Sequence, residues 1–133
     1  MSFEFATVSQ DLAAYLTENV PETWQVLDAE KITGTPSRTL LTFSQGNVTT
    51  TVDGSVMPPH ALGVEFLLEL SVPGTDAAKA LPKLNTELPR LIAVLDAHPQ
   101  LLWTTAERGR TQGGESIYSL TVQAITTITP IQE

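Results

Sequence analysis

Acid–base and nucleophilic chemistry near neutral pH needs a histidine, a cysteine or a close pair of carboxylates, and this chain offers little of it. It holds two histidines, His60 and His98, and no cysteine. His60 follows Pro58-Pro59 in a segment that reads as a loop. His98 stands before Pro99 at the end of a leucine-rich helix, where a cation would suit the helix dipole. Both read as structural, and no G-x-S-x-G elbow supplies a serine nucleophile. Glu65 and Glu69 share one face of a strand at about 13 Å, wider than the carboxylate pairs of glycosidases, so they are expected to line a solvated or interface-forming face. Neither Asp53 with His60 nor Asp96 with His98 forms a metal-ligand spacing. The run Gly109–Gly114 lacks the lysine of a phosphate loop, and a strand follows where such a loop needs a helix. Arg108 and Arg110, on a polar, glycine-rich connection with Gln112, suit protein carboxylates better, because a guanidinium presents a fork matching that geometry. An ordinary solvated hairpin tip is the alternative for this segment. No catalytic residue, cofactor or metal is expected, and Arg108, Arg110, Gln112, Glu65, Leu67 and Glu69 are the candidates for protein–protein contact.

The elements that must carry these residues follow from periodicity. Val8, Leu12, Tyr15 and Leu16 share one helical face, which predicts a helix from Thr7 to Val20; Thr7 or Ser9 caps it and Pro21 ends it. Trp24–Ala29 and Arg38–Phe43 read as strands, separated by the turn-forming Gly34-Thr35-Pro36-Ser37. Val48–Val52 is expected to extend the second strand, and Asp53-Gly54 to turn. In His60–Val72, every second residue from Leu62 to Val72 is apolar, so one face belongs to the core and Gly63, Glu65, Leu67, Glu69 and Ser71 occupy the other. Leu84, Leu88, Leu91, Ile92 and Leu95 predict a helix starting near Pro82, where proline is tolerated at the first position. Pro89 should kink it, or else split it into two shorter helices. Leu101–Glu107 and Ser116–Ile128 form a closing hairpin joined by Arg108–Glu115. The reading is a single α+β domain over residues 1–133, with a mixed or antiparallel sheet packed against two main helices in the order α-β-β-β-α-β-β.

Composition limits the partners. At 133 residues and 41% hydrophobic content the chain suits one globular core. Its net charge of −8 disfavours sequence-independent binding to nucleic acid, which needs Lys and Arg to displace counterions, and disfavours anionic membranes. No basic stretch precedes a hydrophobic run near Met1, and no apolar run reaches spanning length, so folding in the cytoplasm of the producing cell is expected.

The run His98-Pro99-Gln100-Leu101-Leu102-Trp103-Thr104-Thr105-Ala106, followed by a Gly-rich turn and Ser116-Ile117-Tyr118-Ser119-Leu120-Thr121-Val122, carries a resemblance. With the preceding leucine-rich helix and the opening helix and strands, it resembles the tail-terminator, or tail-completion, proteins of long non-contractile-tailed bacteriophages, over essentially the whole chain in length and element order. The resemblance implies a structural virion protein, assembled in the host cytoplasm and placed at the head-proximal end of the tail. Such proteins form a homohexameric ring that caps the tail tube, ends its polymerisation and offers its other surface to the head–tail connector. The implied partners are the chain itself, the tube protein and the connector, with no membrane, no cofactor and no catalytic residues. Genome DNA would pass through the ring without specific binding, which a negative lumen would favour. A neck or head–tail joining protein is the alternative within the same class, and a small-ligand-binding α+β domain the alternative outside it.

Overall fold

The structure is a computed structural model, and it describes residues 3–29, 37–111 and 113–128. Helix α1 (Val8–Asn19) forms because Val8, Leu12 and Leu16 recur on one face, and all three are buried. A short 3₁₀ turn (Phe5–Thr7) leads into it. Thr7 occupies the cap position, but its hydroxyl donates to the Asp11 carboxylate at 2.9 Å instead of capping the backbone. The Tyr15 hydroxyl donates to the carbonyl of Val94 at 2.7 Å and ties α1 to the second helix.

The sheet is mixed. Strand β1 (Phe3–Glu4), β2 (Gln25–Asp28), β3 (Leu40–Thr49), β6 (Ala61–Ser71), β7 (Leu101–Arg110) and β8 (Ser116–Thr127) make one sheet, and β4 (Thr51–Val52) with β5 (Ser55–Val56) makes a separate hairpin. The path runs β1-β8-β6-β3-β2, and β7 also pairs with β8. The β1–β8 and β2–β3 ladders are parallel and the others antiparallel. The second strand extends past Gly46 as expected, with a register shift between Gln45 and Val48, but it ends at Thr49; Thr51 and Val52, expected to continue it, turn off into the separate β4–β5 hairpin. The Asp53-Gly54 turn has positive φ at both residues, 51° and 77°, the geometry that a two-residue hairpin of this kind requires.

The alternation along β6 is realised in the core: Val64, Phe66, Leu68 and Leu70 are fully buried, and Val72 follows them. Both helices cover this face, packing Leu12 and Leu16 of α1 and Leu84, Leu91 and Leu95 of the second helix against it.

That second helix, α2, differs from the expected boundaries. It runs unbroken from Ala77 to Asp96 with Pro82 and Pro89 inside it. Asp76 accounts for the early start: its side chain accepts from the Ala78 N–H at 3.0 Å, and its carbonyl accepts from Ala80 N–H at 2.9 Å. Each interior proline costs about 3 kcal/mol, but each fully buried leucine returns about 1.5–3 kcal/mol, and Leu84, Leu91 and Leu95 are all buried at 1% exposure or less. The first turn also buries Ala80.

Candidate functional site

Register decides where the contact residues lie. Residues directly opposite in an antiparallel ladder share a face. Glu69 stands between Thr42 of β3 and Ser119 of β8, Leu67 between Ser44 and Thr121, and Glu65 beside Gln123. All sit on the face away from the helices. Glu65, Leu67 and Glu69 therefore come together as expected, in a carpet of Ser, Thr and Gln side chains, with Leu67 41% exposed at its centre.

Arg108 and Arg110 do not join them. They are strand residues, not loop residues: β7 continues to Arg110, with Arg108 opposite Tyr118 and Arg110 opposite Ser116. Tyr118 in turn faces Leu70, a core position, so the two guanidinium groups leave the sheet on its helix side. The ladder extends because β8 supplies paired residues as far back as Ser116. The connection shrinks to a turn closed by Thr111 N–H to Glu115 carbonyl (2.9 Å) and Gly114 N–H to Thr111 carbonyl (3.0 Å), with Gly114 at φ +90°. The Thr111 hydroxyl donates to the Glu115 carboxylate, and this bond, helped by the Glu115 backbone N–H, holds that carboxyl below its usual range. Gln112 lies outside the described residues.

The sequence reading missed two participants. Glu107 faces Ser119, in the same cross-strand row as Glu69, so it adds a third carboxylate to the open face. Only the register shift between Trp103 and Ala106 puts it there, and no local pattern announces that shift. The second is the β4–β5 hairpin, which folds onto the same face. Val52 is 2% exposed, and its Cγ2 would lie 2.4 Å from a Cβ placed on Gly63. Asp53 of the turn borders a small hollow with Leu102, Thr121 and Gln123, bringing a fourth acidic group to this side.

The two histidines differ in their surroundings. His60 sits at positive φ in the connection before β6. His98 is buried, stacked on Phe3 at 4.6 Å and met edge-on by Tyr15 at 4.8 Å, and its Nδ1 accepts from the Gln100 N–H at 3.0 Å. Burial lowers its pKa, and these contacts agree with the structural reading of this histidine. Its Nε2 is buried with no partner among the described residues. Trp24 donates to Glu87, which also pairs with Arg90 at 3.4 Å, and Trp103 donates to Asp96 at 2.9 Å. With Tyr118 donating to Asn85 at 2.8 Å, these bonds pin both flanks of α2 to neighbouring elements. A hollow of about 430 Å³ bordered by Arg38, Lys83, Thr86 and Glu87 opens to solvent. Among the described residues no group of three or more His, Asp or Glu is placed to hold a metal, and no helix is long and apolar enough to cross a membrane.

No protein-family model matches the chain, and no curated protein matches it. Among solved structures the chain is similar to the sheath/tube terminator of an extracellular contractile injection system, PVC, in its extended state, with a TM-score of 0.48 and 8% sequence identity. That similarity covers 100% of this chain and 62% of the other, so the chain spans less than two thirds of that protein's length.

Proposed function

We propose that this chain is a non-enzymatic assembly protein that forms a homohexameric ring on the end of a phage tail tube. The ring ends tube polymerisation and presents a second surface to the head–tail connector, in a long non-contractile-tailed phage. Glu65, Leu67, Glu69, Arg108, Arg110 and Gln112 are the proposed contact residues, and no cofactor takes part. The observation that carries this reading is the side of the sheet turned away from both helices. Strands of ten to twelve residues present a broad surface that neither helix covers, with an exposed leucine at its centre and carboxylates around it. Surfaces of this extent suit protein contact better than small-molecule capture, which needs a concave site with convergent polar groups. The sequence resemblance to tail terminators supplies the particular assembly. Co-sedimentation with purified tail tubes lacking their terminator tests it: saturable binding at about one ring per tube is expected. Capture by isolated connectors without any binding to tubes would move the protein to the neck.

A further inference from the structure

The two groups of contact residues lie on opposite sides of the sheet, and so do the two signs of charge. Glu65, Glu69 and Glu107 occupy the open face by register, with Asp53 at its border. No Lys or Arg among the described residues shares that face. Lys79, Lys83 and Arg90 are on α2, and Arg38 borders a hollow with Lys83 and Val72. Arg108 and Arg110 project to the helix side from the far end of β7, both exposed and neither in an ion pair among the described residues.

From this separation we propose that the open acidic face receives the Arg108–Arg110 corner of a second copy of the same chain. The contact is head to tail: each copy offers its face to one neighbour and its corner to the other. Such heterologous contacts generate rings when the rotation closes. The proposal rests on the reading of the protein as a ring former and names the contact that builds the ring.

Three features fit this occupant. Arg108 and Arg110 stand two residues apart on one strand, about 7 Å, while Glu69 and Glu107 lie two strands apart, about 10 Å. Two long side chains ending in planar forks can span that difference and engage carboxylates. The sites are on different sides of one chain, so they cannot satisfy each other within it. The outer edge of β7 pairs with no other strand among the described residues, but Glu107, Arg108 and Arg110 charge it and a register shift interrupts it. Such edges resist strand addition, which favours contact through the side chains at the corner over a continuous intersubunit sheet.

Charge reversal separates this contact from general electrostatics. Each Glu→Lys change alters the charge by two, so Glu65→Lys with Glu69→Lys takes the chain from −8 to −4. Less mutual repulsion alone would strengthen association; the proposed contact requires the opposite. Sedimentation velocity at low salt, over a concentration series, should show the natural chain associating. The E65K/E69K chain and the R108E/R110E chain should each need at least tenfold higher concentration. Mixing the two variants should restore association, because each then offers the surface the other needs, and the chain bearing all four changes should associate alone. Thermal melts of each variant establish that it is folded. A natural chain that stays monomeric throughout, reversed chains that associate as well as it does, or a mixture that stays monomeric would overturn the contact. Restored rings that fail to bind tubes would leave the contact standing and refute the tube-capping reading instead.

Discussion

Gly63 gives the sharpest test of how the open face is built. No positive φ demands glycine there; what demands it is Val52, whose Cγ2 would stand 2.4 Å from an added Cβ, with Thr49 Cγ2 at 3.2 Å. Gly→Ala within a strand ordinarily gains about 0.5–1 kcal/mol. Here Gly63→Ala should instead cost about 1–3 kcal/mol through overpacking, because Val52 is buried and its hairpin must lift off the sheet. Val52→Ala removes two methyl carbons and should cost about 2 kcal/mol. The two costs should not add. Once Val52 is truncated only the Thr49 Cγ2 approach at 3.2 Å remains, so Gly63→Ala on that background should cost much less than in the natural chain. The double-mutant cycle should therefore show a coupling of at least about 1 kcal/mol, beyond the scatter of independent sites. Urea denaturation of the four chains, read as midpoints at constant slope, measures it. Additive costs, or a stabilising Gly63→Ala in the natural background, would refute the seating of the hairpin on β6 and with it the described border of the open face.

Other consequences follow from particular contacts. His98 has a lowered pKa in the folded state relative to its usual 6.5, so the unfolded chain takes up the proton first. Stability should hold above that value and fall as pH drops through it towards the lower folded pKa, by at most about 1.4 kcal/mol per pH unit. Melts from pH 8 to 5 should show this fall in the natural chain and a smaller one in His98→Phe; equal slopes would refute the neutral, buried imidazole. Asp76→Ala removes the cap of α2 and should cost about 1 kcal/mol in the same denaturation assay. Leu67→Asp, at an exposed position, should leave stability within about 0.5 kcal/mol but reduce self-association in sedimentation; unchanged association would exclude this part of the face from the contact.

Periodicity made α1 and β6 legible because their packing repeats what the local pattern states: Val8, Leu12 and Leu16 fall on one helical face, and Val64 to Val72 on one strand face. Where tertiary contacts outweighed local rules, the sequence misled. Pro82 has a high local cost as an interior helix residue, so a start at that proline is the natural expectation; the Asp76 cap and the burial of Ala80 and Leu84 outweigh it. Gly109 between two arginines resembles a loop, yet β8 offers a ladder that draws all three into a strand. Glu107 and Arg108, as strand neighbours, must face opposite sides, but which of them takes the open face depends on a register shift between Trp103 and Ala106 that no composition rule marks. That His98 is structural was legible from its place at the end of α2, but its partner was not, because Phe3 is brought against it by a parallel pairing of β1 with β8 across almost the whole chain.

Electron microscopy of tail tubes lacking their terminator, mixed with the purified chain, tests the central claim most directly. A ring-shaped cap on one end of each tube, together with arrest of further tube growth when fresh tube protein is added, is the predicted result. Tubes that continue to lengthen with both ends bare, at protein concentrations that saturate its self-association, would contradict it.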